Sequence, residues 1–425
     1  MRADRPRIRF PTGFLWGAAT AAHQVEGGLD NDWARFEAQP GRIRHGHTSA
    51  AGVDHFHRYA EDFALAAGMG HNAHRLSIEW SRIEPRRGHW DAGAVAHYRD
   101  VLSALRRLGM EPVVTLHHFT NPRWVADQGG WESPRTAADF ARFAAFAGAC
   151  LGDLVRLWCS VNEANGLMYM AYLNEAWPPA KRDPAAAWRV HRNMLAGHLR
   201  AYHALHEAYR AHGRGVQVGV AHHFMIFDAA RRWHPVDQAS ARAADWVCNR
   251  AFLHSAWRRS ALDFIGVNYY QRGLCRGFAK PHAAPGAPTS DLGWEIRPEG
   301  LYRSLRIAAR YSRLPDGRRI PLYITENGLD DRGRGEERAR FIVRHLQHAG
   351  RALADGLDVR GYLHWTLMDN FEWAEGYEPR FGLFRVDRAH GLARVPTLAV
   401  EVYREIARHN GLTANLLAAY GELRA

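Results

Sequence analysis

Residues 320–330 read IPLYITENGLD. From Ile320 to Thr325 the run is apolar and β-favouring, the composition of a strand buried on both faces. It passes without a break into Glu326, then Asn327 and Gly328. A carboxylate at the tip of a buried strand is costly unless it is paired or neutralised. Taken alone, Glu326 reads equally well as an ion-pair partner, as a cap for whatever follows Gly328, or as a reactive group tuned by its surroundings. The decision rests on what the rest of the chain builds around it.

Similar β-favouring runs recur along the sequence. They are FLWGAAT from Phe14, AHRLSI from Ala73, PVVTLHH from Pro112, VRLWCSV from Val155, VQVGVAHH from Val216, DFIGVNY from Asp263, PLYIT from Pro321 and VRGYLHWTL from Val359. Helical stretches lie between them. DAGAVAHYRDVLSALRRLG has apolar residues at helical spacing and places Gly109 where a C-cap belongs, and AADFARFAAFAGACLG is similar. Eight strands alternating with helices predict parallel βαβ units closed into a (β/α)8 TIM barrel. No G-x-G-x-x-G follows the first run, which disfavours an open doubly wound sheet. With no linker or low-complexity tract, the whole chain, 1–425, is expected to be a single barrel domain.

Composition removes other classes. The hydrophobic fraction of 47% and charged fraction of 24% are ordinary for a globular protein. No apolar run reaches the roughly 18 residues needed to span a bilayer, and MRADRPRIRF is not followed by the apolar core of a secretory signal. The formal charge is +12, but it is scattered and almost wholly arginine, with lysine only at Lys181 and Lys280. Nucleic-acid binding requires that charge to cluster, so neither nucleic acid nor membrane is expected as a partner. Cys150, Cys159, Cys248 and Cys275 show no ligand or redox spacing, and the 26 histidines form no H-E-x-x-H. No metal and no cofactor are expected, and reduced thiols point to the cytoplasm.

In a (β/α)8 barrel the chemistry sits at the C-terminal ends of the strands. The fourth run ends CSVNEANG, placing Asn162 and Glu163 at such an end. Strands four and seven stand roughly across a barrel from each other, so Glu163 and Glu326 are expected to face one another over its mouth. A facing carboxyl pair is the minimal machinery for glycoside hydrolysis, one donating a proton to the leaving oxygen and the other attacking or activating water. Other strand ends offer sugar-binding groups: Gln24 and Glu26 after the first, His118 after the third, Tyr270 after the sixth. After the eighth, WTLMDNFEWAEGYEPRFGL supplies Trp365, Glu372, Trp373 and Phe381. Sugars take flat aromatic faces for their C–H surfaces and polar groups for their hydroxyls. Any one of these aromatics is also readable as core.

Together these stretches resemble glycoside hydrolase family 1, the retaining β-glucosidase family. FPTGFLWGAATAAHQVEGG, HRLSIEWSRIEP, TLHHFTNPRWV, SVNEANG, DFIGVNYY, LGWEIRPEGLY, YITENG and WTLMDNFEWAEGYEPRFGLFRVD follow in family order, from Phe10 to about Asn410. The resemblance implies that Glu163 is the general acid/base and Glu326 the nucleophile. Arg75 then supports the nucleophile from beneath and Tyr270 hydrogen-bonds to it. Gln24, His118, Asn162, Glu372 and Trp373 would hold the non-reducing sugar, Trp365 would stack on it, and Phe381 would lie beside its O6. Trp294 would form an aromatic wall for the leaving group. On this reading Glu326 stays ionised through Arg75 and Tyr270, and the Glu163 carboxyl is raised by apolar surroundings and by the charge on Glu326. Retention further requires the two carboxyls to lie about 5–5.5 Å apart.

The chain departs from the family pattern in three places. Phe119 follows His118 where tryptophan is usual, and Ala164 follows Glu163 where proline is usual. The segment NRAFLHSAWRRSALDFIG, from Asn249 to Gly266, lacks the usual long loop before strand six. One wall of the mouth is therefore expected to be missing, leaving a wide leaving-group site. The expected partner is a small-molecule β-glycoside or oligosaccharide. A phosphorylated sugar is disfavoured, because Glu372 would repel it and no lysine lies near in sequence. A transglycosylating β-glycosidase is an alternative. A non-catalytic sugar-binding protein on the same fold is another, although such relatives typically lack one of the two glutamates.

Overall fold

A computed structural model describes residues 6–333 and 335–422. Eight parallel strands close into a barrel: β1 (Leu15–Ala19), β2 (Ala73–Ser77), β3 (Glu111–His117), β4 (Leu157–Asn162), β5 (Gln217–Ala229), β6 (Phe264–Cys275), β7 (Leu322–Glu326) and β8 (Val359–Trp365). Each lies within or overlaps one of the eight runs picked out from the sequence. Leu15 pairs with Gly361 and Ala19 with Trp365, so the first strand seals the barrel against the last.

Helices cross back over the outside after each strand. The principal ones are His55–Gly68, Ala92–Arg107, Arg135–Leu151, Pro184–Arg210, Pro235–Asp245, Glu299–Ala309, Glu336–Ala354 and Leu398–His409. Ala92–Arg107 shows why the local sequence folds this way. Asp91 caps its first turn by accepting from Ala94 N–H at 2.8 Å. Tyr98, Val101, Leu102 and Leu105 form its buried stripe. Gly109, at φ 73°, adopts the left-handed conformation that ends it.

Apolar burial falls into two bodies. The larger lies between strands and helices. The smaller fills the barrel interior with Ala19, Ala73, Val113, Leu157, Cys159, Ala221, Phe264, Tyr323 and Leu363, and rises at one end to Tyr270, Trp365 and Phe381. The barrel is thus plugged below and aromatic above. The upper end is the C-terminal end of every strand.

Two features shape that end. The register slips between Cys159 and Asn162 on β4 and between Val267 and Asn268 on β6. Such irregularities re-aim side chains at strand tips. The second feature is the length of β5 and β6. β4 leaves β5 at Ala221, and β7 leaves β6 at Asn268. Beyond those points β5 and β6 continue paired to each other, out to Ala229 against Cys275. They stand above the barrel as a two-stranded ribbon. The short connection expected before strand six is present: the helix Ala251–Trp257 leads almost directly into β6. The ribbon rises beside it and was not anticipated from the sequence.

Candidate active site

Arg75 organises the floor. It projects from β2, is 1% exposed, and spends its guanidinium on three strands. Nε donates to Thr115 Oγ1 at 3.0 Å, Nη2 to Asn162 Oδ1 at 2.6 Å, and Nη1 to Glu326 Oε1. A buried arginine is tolerable only when its donors are matched in this way. Tyr270, from β6, donates its hydroxyl to the other oxygen, Glu326 Oε2, at 2.7 Å. Glu326 ends β7 and is 3% exposed, with a donor on each carboxylate oxygen. Gly328, two residues on, has a packing reason: a Cβ there would lie 2.0 Å from the Trp365 carbonyl oxygen.

Glu163 follows β4 in the left-handed region, at φ 43° and ψ 54°. That conformation is strained for a residue with a Cβ, and strain of this kind gathers at functional sites. Its N–H is held by Ala221 O at 2.8 Å. Asn268 of β6 donates to Glu163 Oε1 at 2.8 Å and to Asn162 Oδ1 at 3.1 Å, while Thr325 Oγ1 donates to Asn268 Oδ1 at 2.6 Å. One chain of hydrogen bonds therefore runs from Glu326 through Arg75, Asn162 and Asn268 to Glu163. The two glutamates picked from strand ends do share one cleft.

Their ionisation depends on a group that the sequence expectation did not include. Burial and the charge of Glu163 push the Glu326 carboxyl up to about 7, against the opposing pull of Arg75 and Tyr270. Glu163 is also raised by burial, but His223, Asn268 and Arg75 more than reverse this and leave it below the usual carboxylate value. The cause is His223, whose Nδ1 lies 3.4 Å from Glu163 Oε1. A cation there ionises Glu163 first. With a neutral ring, the two donors on Glu326 make it the better-stabilised carboxylate.

The proposed sugar-binding residues gather around the pair. Gln24 donates to Phe371 O at 2.9 Å, to Asn370 Oδ1 at 3.1 Å and to Glu372 Oε2 at 3.4 Å. Its own Oε1 is buried and has no partner. Glu372 is raised by burial and by the charges of Glu326, Asp330 and Glu163. His118 lies nearly parallel to Trp365 (5.9 Å, 13°) and to Trp373 (6.1 Å, 12°), with Asn162 Nδ2 3.3 Å from its Nε2. Burial holds it far below the ordinary histidine value, hence neutral. Phe119 packs on Trp177 at 4.6 Å and on Trp373 at 5.3 Å, so the ring that replaces an indole still braces Trp373. Trp294 leans on Tyr270 at 5.6 Å and Phe381 at 5.9 Å. Its segment is anchored to the ribbon by Arg272 and Glu295, 2.6 Å apart.

One strand-end residue is not part of this group. Glu26 pairs with Arg82 at 3.1 Å and accepts from Tyr98 at 2.9 Å, an ion pair behind the first strand. Conversely, Asn268 and His223 were overlooked. Asn268 sits in the GVNYY of strand six, two residues before Tyr270, and that position was its signal. His223 is one of 26 histidines and had none beyond standing near a strand end. Among the described residues, no group of three His, Cys, Asp or Glu is placed to hold a metal ion, and no helix is long and apolar enough to cross a membrane.

Comparison with known proteins gives the family and the fold. The family model described as Glycosyl hydrolase family 1 matches residues 6–260 and 257–412. The thermostable beta-glucosidase B of Thermobispora bispora is 34% identical over 95% of this chain and 92% of its own length. The solved beta-glycosidase from Pyrococcus horikoshii superposes with a TM-score of 0.90 at 35% identity, covering 99% of both chains. The Thermotoga maritima beta-glucosidase in complex with glucoimidazole gives 0.88 at 29% identity, covering 95% of this chain and 100% of that one.

Proposed function

The chain belongs to glycosyl hydrolase family 1, and from that premise we propose how its own residues carry the reaction. It is a retaining β-glycosidase, and family 1 enzymes act by double displacement. In our assignment Glu326 attacks the anomeric carbon while Glu163 gives its proton to the departing glycosidic oxygen. The C–O bond to the aglycone breaks and a glycosyl ester of Glu326 forms. Glu163, now ionised, takes a proton from water, whose oxygen attacks the same carbon and releases Glu326. The observation that carries this assignment is the double clamp on Glu326 by Arg75 and Tyr270. It holds one carboxylate in a fixed orientation while Glu163, joined to the same network, is free to move a proton.

For substrate we propose terminal β-glucosides and closely related β-glycosides. Gln24, Glu372 and Trp373 would take the glycone hydroxyls, Trp365 its face, and Phe381 the region of O6. Glu372→Ala should then cost on the order of 2–5 kcal/mol in kcat/KM for an aryl glucoside, as for a buried charged hydrogen-bond partner. Unchanged kcat/KM would remove Glu372 from the glycone site. We further propose that residues 1–425 act as one catalytic domain and, on cysteine usage alone, that it works in the cytoplasm.

On the leaving-group side, the short link before β6 supports a site open to bulky aglycones. Few contacts to the aglycone mean that binding energy comes mainly from the glycone. The test is kcat/KM for cellobiose, an aryl glucoside and a bulky flavonoid or steroid glucoside. The aryl and bulky substrates should be turned over well, and cellobiose should show a high KM. Strong preference for cellobiose with rejection of the bulky substrate would mean that the ribbon and the Trp294 segment close the mouth.

A further inference from the structure

His223 stands midway along β5, two residues beyond the point where β4 leaves it, 23% exposed at its side chain, with Nδ1 3.4 Å from Glu163 Oε1. That nitrogen is buried and makes no well-aligned hydrogen bond. The position is built rather than incidental. The backbone carbonyl of His223 accepts from Asn165 Nδ2 at 2.9 Å, tying it to the helix that begins after Glu163. Its ring lies at 21° to that of Tyr270, 6.3 Å away. The neighbouring His222 is committed elsewhere, with Nε2 donating to Cys248 O at 2.9 Å. We propose that His223 is a positioning residue for the reaction: its charge decides which of Glu163 and Glu326 holds the proton they share, and so sets the pH at which Glu163 ceases to be an acid. The proposal rests on the assignment of Glu163 as the acid/base.

The groups around the pair support this role for His223. Facing Glu163 are Asn268 on β6, Arg75 on β2, Glu326 on β7 and His223 on β5. Asn268 is neutral and Arg75 is already engaged with Glu326 and Asn162. Facing His223 are Glu163, Tyr270 and, across the cleft, the charge of Glu326. Burial disfavours a cation on the ring, yet those two carboxylates raise its basicity above the ordinary value. His222 and His118 are held neutral by burial and bring no competing charge. His223 is thus the cation beside Glu163 that can lose its charge by titration.

The sign follows. A cation beside Glu163 favours its ionised form, so Glu163 loses its proton at a lower pH than burial and Glu326 alone would impose. Removing that cation lets Glu163 keep its proton to higher pH. The alkaline limb of kcat/KM reports this group in the free enzyme.

The test is the pH profile of kcat/KM for wild type, His223→Gln and His223→Asn on two substrates. Phenyl β-glucoside has a leaving group that needs protonation, and a dinitrophenyl β-glucoside has one that does not. With phenyl β-glucoside the alkaline limb should move up by about one pH unit in both variants. The acid limb, which reports Glu326, should move down for both substrates, because a protonated Glu163 no longer raises it, while the alkaline limb of the dinitrophenyl profile should not follow. Variants with wild-type melting temperatures that lose activity uniformly, or that shift the alkaline limb of both substrates alike, would overturn the proposal. Glu163→Ala, run alongside, separates the premise from the inference. If it slows both substrates equally, Glu163 is not the acid, and the role given to His223 fails with it. If it discriminates between them while the His223 limb stays fixed, the acid assignment stands and the His223 proposal alone is wrong.

Discussion

Glu326→Gly loses hydrolysis of an aryl β-glucoside by on the order of 10⁴-fold or more, as expected when a nucleophile is removed. Added azide or formate then restores turnover, and the product carries inverted configuration. The reason lies in what the substitution leaves behind. Arg75 and Tyr270 were both committed to the Glu326 carboxylate. Without it they line a vacated, electropositive space on the attacking face of the sugar. A small anion seated there performs one displacement where the enzyme performs two, so a β-glucoside gives an α-product. Proton NMR of the azide product reads the anomer directly. A β-linked product, or undiminished hydrolysis without azide, would place the nucleophile elsewhere.

Glu163→Ala gives the second large effect, and its signature is selectivity. Loss of a general acid costs roughly 10²–10⁴-fold where the leaving group needs protonation. A phenyl glucoside should fall by that amount in kcat/KM, while a dinitrophenyl glucoside is nearly spared. For the activated substrate, release of the glycosyl ester becomes slow because no base activates water. Its kcat and KM should fall together, and a pre-steady-state burst should appear. Azide should relieve that block and yield a product of retained configuration, the opposite of the Glu326 outcome. The two variants therefore assign the two carboxyls by stereochemistry rather than by rate alone. Equal losses on both leaving groups would exclude Glu163 as the acid.

How far the site could be read in advance follows from what each residue has to do. A carboxylate ending a buried apolar strand conflicts with its surroundings, so Glu163 and Glu326 could be seen in one dimension. The eight strands were equally visible, since each apolar run must be buried in a parallel barrel. Ion-pair partners such as Glu26 looked the same as sugar ligands, because strand-end position is shared and only the pairing with Arg82 separates them. Asn268 and His223 act on Glu163 from other strands, and such adjacency depends on register slips that leave no trace in residue type. The group that tips the proton order of the pair was missed for the same reason. It is a side chain sixty positions away in the chain, about 3.4 Å away in space. The outer half of β6 escaped notice because QRGLC loses the apolar continuity of the barrel proper, and that of β5 because His222 and His223 interrupt the run before FMIF.

The seam of the barrel has a bearing on how the chain comes to be folded. β1 is synthesised before the other seven barrel strands, and one of its two edges is reserved for β8, with Leu15 meeting Gly361. At a synthesis rate of about 5–20 residues per second, that edge waits on the order of 20–70 s for its partner to emerge from the ribosome. Through that interval the growing sheet is open, with an unsatisfied row of backbone donors and acceptors on FLWGAAT. Such an edge is a template for the wrong strand as readily as for the right one. Completion therefore comes late and all at once, and chains stalled before residue 361 should be the species most in need of a chaperone.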